Sequence, residues 1–92
     1  MADLEMIEVT TPTCGVCKMI AKVVEKASSE FPEVPFRVLC AGEPEADEFA
    51  RKHAVSTVPT FFVMRDGEVV DRHVGAANYL QLTKMIKNAL EK

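Results

Sequence analysis

The chain has 92 residues, which is enough for one domain over 1–92 and too few for a second. Hydrophobic residues make up 48% of it, with no long polar tract, so a single core can be buried. A net charge of -3 and a pI near 5.3 provide no broad basic field, which argues against nucleic acid as a partner.

The amino terminus, Met1-Ala2-Asp3-Leu4-Glu5-Met6, is acidic and has neither the basic region nor the apolar run of a secretory signal. No run is long and apolar enough to span a membrane. These features predict a cytoplasmic protein with no membrane partner. Three cysteines are an odd number and too few for a disulfide framework, so in a reducing compartment they point to chemistry or packing.

Met6-Ile7-Glu8-Val9-Thr10-Thr11 is rich in β-branched residues and is stopped by Pro12, which predicts a strand running into a turn. From Val16 onward, Met19, Ile20, Val23, Val24, Ala27 and Phe31 keep the i, i+3, i+4 spacing of one amphipathic helix, ended by Pro32. Pro35 to Cys40 reads as a second strand, and Gly42-Glu43-Pro44 opens a helix over Glu45 to His53. Thr60 to Met64 is a third strand. Asp66-Gly67 is a two-residue hairpin signal joining it to a fourth, Glu68 to Val74. After Gly75, Leu82, Met85, Ile86, Ala89 and Leu90 recur at helical spacing. The order β-α-β-α-β-β-α predicts an α/β domain: a four-stranded mixed sheet with helices on both faces.

Cys14 and Cys17 are three positions apart, just where the first strand hands over to the first helix. A nucleophilic sulfur must be a thiolate, and unpaired N–H groups at a helix start favour that form. This makes Cys14, at the exposed helix end, the attacking thiol. Cys17, one turn on, displaces the substrate from it, and Gly15 lets the backbone turn between them. Such a pair performs two-electron thiol-disulfide exchange without a cofactor.

Glu8 is odd in a strand otherwise made of Met6, Ile7 and Val9. Alternation puts it opposite Ile7 and Val9, and with both faces of the sheet covered it becomes a desolvated carboxyl with raised proton affinity. Such a group can take the proton that Cys17 must lose.

A second motif, Val58-Pro59-Thr60, precedes the third strand. Through Thr11-Pro12-Thr13-Cys14-Gly15-Val16-Cys17-Lys18, Val55-Ser56-Thr57-Val58-Pro59-Thr60, Asp66-Gly67 and Val74-Gly75, the chain resembles the thioredoxin superfamily over nearly its whole length. The resemblance implies a thioredoxin-like fold and an oxidoreductase that reduces protein disulfides. It implies that Pro59 is a cis proline facing the cysteines, that the Val58 backbone pairs with an extended substrate, and that Gly75 allows close approach there. Thr13 stands beside the attacking cysteine, where thioredoxins place an aromatic residue, and Glu8 matches their buried acid. The implied partners are disulfide-containing proteins and a flavin-dependent thioredoxin reductase, with the protein itself a monomer. There is no Trp, Val16 stands where thioredoxins carry proline, and their extra amino-terminal strand and helix are missing.

The competing expectations are a glutaredoxin-like or isomerase-like oxidoreductase and a non-catalytic binding module. The residues after Gly75, Ala76-Ala77-Asn78, lack the glutathione-holding signature of glutaredoxins, and two intact cysteines argue against the module. No metal is expected, because there is no second cysteine knuckle and His53 and His73 lie on separate elements. Cys40 reads as a small buried hydrophobe.

Overall fold

The computed structural model describes residues 3–91. Over that range the chain forms β1 (Leu4–Thr10), α1 (Gly15–Met19), α2 (Ala21–Ser29), β2 (Phe36–Cys40), α3 (Pro44–Lys52), β3 (Thr60–Arg65), β4 (Glu68–Val74) and α4 (Tyr79–Leu90). The strands lie in the order β2-β1-β3-β4. The helical crossover makes β1 and β2 parallel, and β3 pairs antiparallel with both β1 and β4.

Alternation along the central strands divides the core in two. Met6, Phe61 and Val63 pack on one face against α2 and α4, through Val24, Ala27, Leu82, Met85, Ile86 and Ala89. Ile7, Val9, Phe62 and Met64 pack on the other, against Ala46 and Phe49 of α3. The mixed sheet covered on both faces is the architecture that the sequence predicts. The β3–β4 turn is built from Asp66 and Gly67, with φ of 51° and 85°. Two consecutive positive φ values make a tight turn whose twist matches the flanking strands.

One element differs from the sequence reading. The single helix expected from Val16 breaks at Ile20, whose φ and ψ are -96° and 2°, leaving α1 with five residues and none of them buried. Val16 and Met19, placed by periodicity on a core-facing stripe, are 45% and 82% exposed. The physical reason is position: α1 projects past the end of β1, where there is no sheet surface for an apolar stripe to cover. Only from Ile20 onward does the stripe meet the core.

The end of α3 fixes the segment that leads to Pro59. The N–H of Ala54 donates to the Arg51 carbonyl (3.4 Å) and the N–H of Val55 to that of Ala50 (2.8 Å), a Schellman closure with Ala54 in the left-handed position at φ 52°. Arg72 of β4 clasps the same place, donating to the carbonyls of His53 (2.6 Å) and Ala54 (3.3 Å). Its guanidinium also lies over the Phe62 ring. A left-handed alanine is strained by its Cβ, and Ala54 is exposed, so Ala54→Gly loses no packing. Denaturant melts are expected to show it more stable than the parent by about 1 kcal/mol.

Candidate active site

Cys14 caps α1. Its backbone is extended (φ -78°, ψ 101°) and its Sγ accepts the N–H of Cys17 at 3.1 Å. The loop before it is held by the Cys14 N–H donating to the Thr11 carbonyl at 3.2 Å. Cys14 and Cys17 are joined in a disulfide with a Cα–Cα separation of 5.3 Å. The sequence places Cys14 at the exposed end of the helix, yet it is only 8% exposed while Cys17 is half-buried. Capping turns the Cys14 sulfur inward beneath the first turn. That hydrogen bond reaches the sulfur in the disulfide-bonded form, and α1, with five residues, is too short to supply a long helix dipole. Gly15 lies in the helix with open space where a Cβ would stand, so no tight turn requires glycine there.

Glu8 is 5% exposed. Its cross-strand neighbours are Val38 of β2 and Phe61 of β3, and among the described residues its carboxyl has no hydrogen-bond partner. Burial therefore pushes its pKa from 4.5 up to about 7.

Glu8, Cys14 and Cys17 line one cavity of about 430 Å³ between α1–α2 and the β1–β2 pair. Sequence reasoning missed the rest of its wall: Lys18, Ala21, Val24, Phe36 and Val38 also line it. A signal was present. Cys17, Ala21, Val24 and Ser28 recur at i, i+4, i+7 and i+11, a single helix row facing β2. It is masked because only Val24 of the three that follow Cys17 counted toward the apolar stripe.

Pro59, Val58, Gly75 and Thr13 lie outside this cavity. The Val58–Pro59 peptide bond is cis, and the Gly75 N–H donates to the Pro59 carbonyl at 2.8 Å. Val9 pairs with Thr60, so one further step of the register puts Pro59 across from Thr10, at the strand end that leads to Cys14. Val58 is half-buried against the core cluster that includes Ile7, Val9 and Phe62, and Thr13 is exposed. Gly75 has φ 95° and nothing within 4 Å of a built Cβ. Its left-handed backbone, rather than close approach within the chain, requires glycine. Cys40 is a free thiol, half-buried at the end of β2, and less enclosed than the sequence reading has it.

The two histidines lie on different elements, the end of α3 and β4. His53 caps α3 with its ring 4.4 Å from that of Phe49; burial, aided by Lys52 and Arg72, holds its pKa below the ordinary value. His73 Nε2 is 3.0 Å from the Ala76 carbonyl. Among the described residues no group of three or more potential metal ligands comes together, and no helix is long and apolar enough to cross a membrane.

A family model described as thioredoxin matches residues 2–88. Thioredoxin of Bacillus subtilis is 41% identical over 64 residues, which span 70% of this chain and 61% of that protein, less than two thirds of its length. The X-ray structure of Fasciola hepatica thioredoxin superposes with a TM-score of 0.81 at 36% identity, covering 92% of this chain and 79% of that one. A thioredoxin f2, solved in complex with ferredoxin:thioredoxin reductase, has a TM-score of 0.83 at 26% identity, covering 96% and 78%. The fold, the disulfide at the strand-to-helix junction and the match to the family model over almost the full sequence establish that this chain belongs to the thioredoxin family, with Cys14 and Cys17 as its redox dithiol pair.

Proposed function

We propose that the protein reduces the disulfides of other proteins by dithiol-disulfide exchange, with Cys14 attacking and Cys17 resolving. The observation that carries this reading is the Cys14–Cys17 disulfide with a buried, unpartnered Glu8 carboxyl in the same cavity. In the reduced protein the Cys17 N–H stabilises the Cys14 thiolate, which attacks one sulfur of the substrate disulfide and expels the other as a thiolate. Glu8 then takes the proton of Cys17, and the Cys17 thiolate attacks Cys14, releasing the second substrate thiol and closing the Cys14–Cys17 disulfide.

The substrate approaches along the Pro59 side, where the cis bond and the left-handed Gly75 shape the backbone. Val58 offers its main chain, Thr13 flanks Cys14, and the exposed Val16 and Met19 give the partner an apolar landing surface. The protein works as a monomer and as a single domain over 1–92. Its oxidised form is recharged by a thioredoxin reductase of the flavin-dependent kind. A cytoplasmic location is in keeping with one exchanging pair and an unpaired Cys40.

Turnover of insulin disulfides with dithiothreitol as electron source tests the reading: the protein is expected to accelerate insulin reduction far above dithiothreitol alone, and equal rates would refute it. In the same assay Cys40→Ser is expected to turn over within about a factor of two of the parent, since the exchange uses only the vicinal pair. A large loss without unfolding would make Cys40 a participant.

A further inference from the structure

The two outer strands of the sheet, β2 and β4, are finished differently. At β4 the pairing slips: Val63 faces Asp71 and Met64 faces Val69, which leaves Val70 as a bulge, and Glu68 and Arg72 stand exposed along the strand. Bulges and charges are ordinary means of keeping an outer strand from pairing with another chain. β2 has no such guard. Its register with β1 runs unbroken from Phe36 to Cys40, and Val38 in its middle is 55% exposed. Its one charged residue, Arg37, is held by Glu5 of β1 at 3.3 Å and Glu45 of α3 at 2.9 Å.

The backbone bonds tell which groups this edge leaves over. The N–H of Met6 donates to the Pro35 carbonyl and the N–H of Ala41 to the Thr10 carbonyl, each at 2.8 Å. With a period of two between them, Pro35, Arg37, Leu39 and Ala41 turn their main chain towards β1, so Phe36, Val38 and Cys40 turn theirs outward. The Cys40 carbonyl is taken up by the Glu43 N–H at 3.2 Å. The three outward N–H groups and the carbonyls of Phe36 and Val38 have no strand beyond them.

A cavity of about 360 Å³ lies beside the same edge on the α3 face, lined by Arg37, Val38, Leu39, Glu43, Glu45 and Ala46. It shares only Val38 with the cavity at the disulfide. Buried Leu39 and Ala46 give it an apolar floor. Arg37 is divided between Glu5 and Glu45, while Glu43 makes no ion pair among the described residues and no capping hydrogen bond to α3. The rim therefore carries uncompensated negative charge.

We propose that β2 is a docking edge for an extended segment of a partner protein, which joins the sheet as an antiparallel strand with a β-branched apolar residue opposite Val38 and a lysine or arginine opposite Leu39. Strand addition takes its affinity from main-chain bonds and its selectivity from pockets for alternate side chains, and β2 supplies both. Residues directly opposite each other point to the same face. The residue across from Val38 thus packs on its exposed side chain, and the residue across from Leu39 projects into the α3-side cavity, where Glu43 meets its charge. β2 and β3 lie on opposite sides of β1, so this surface is separate from the Pro59 side and does not depend on the redox reading.

The test titrates the isotope-labelled oxidised protein with the peptide acetyl-TVKVTVT-amide and follows the backbone amides by NMR. In the antiparallel register its central valine faces Val38 and its lysine faces Leu39. The largest shifts are expected at the amides of Phe36, Val38 and Cys40. The peptide acetyl-TVEVTVT-amide is expected to bind about tenfold more weakly, and Glu43→Lys to invert that order. Glu43 is exposed in the loop before α3, so this variant leaves the core intact. Methylating the nitrogen of the peptide's central valine removes the bond it donates to the Val38 carbonyl, and is expected to abolish the β2 shifts with the protein unaltered. Absence of shifts in β2, shifts centred on β4 or Val58, equal binding of the lysine and glutamate peptides, an order that Glu43→Lys leaves unchanged, or binding that survives methylation would each overturn the proposal. So would the same amide shifts on concentrating the protein alone, which would assign the edge to a second copy.

Discussion

Cys14→Ser will lose insulin reduction by about a thousandfold or more, because a serine hydroxyl stays protonated where the thiol becomes a thiolate, and no other group starts the reaction. Cys17→Ser will lose multiple turnover to a similar extent, for a different reason. It keeps the attacking sulfur but cannot displace the substrate from it. The hydrogen bond that singles out Cys14 is donated by the backbone of residue 17, so Ser at that position leaves it in place. Single-turnover rates by quenched alkylation separate the two defects: Cys17→Ser is expected to attack at nearly the parent rate, and Cys14→Ser not to attack.

Glu8→Gln is expected to change stability and rate in opposite directions. The carboxyl titrates near 7 in the fold against 4.5 in the unfolded chain, so the folded state binds a proton more tightly. Unfolding therefore releases that proton between about pH 4.5 and 7. The fold is at its most stable below 4.5 with respect to this group, loses stability as pH rises through the window, and levels off above it. The displacement corresponds to about 3 kcal/mol, and Gln, with similar shape and no charge, removes it. At pH 8 Glu8→Gln is expected to melt higher than the parent, with the gap closing by pH 4.5; parallel stability curves would show that Glu8 is solvated. In stopped flow the variant is expected to resolve the mixed disulfide about a hundredfold more slowly, with initial attack less affected.

These three residues also show what sequence pattern reveals and where it fails. Glu8 was legible because period-two alternation is rigid: once Ile7 and Val9 face one core, Glu8 must face the other. The cysteine pair was legible because its chemistry needs the strand-to-helix junction that Pro12 and the following helical spacing mark. The break at Ile20 was not, because periodicity reports which residues could share a face and not whether a sheet lies beneath them. For Val16 and Met19 none does. The relative burial of Cys14 and Cys17 depends on the N-cap conformation, a matter of one φ and ψ pair. The cavity needs both the helix row from Cys17 and the neighbouring strand, whose pairing of Val38 with Glu8 is a tertiary fact.

The assignment of Cys14 as attacker and Cys17 as resolver can be read from a single covalent adduct. Each single-serine variant is reduced, mixed with a disulfide-bonded protein and quenched in acid, and the species are separated without reductant and fragmented. Cys17→Ser is expected to accumulate a stable mixed disulfide on Cys14, and Cys14→Ser to accumulate none. A stable adduct through Cys17 in Cys14→Ser, with none in Cys17→Ser, would contradict the account.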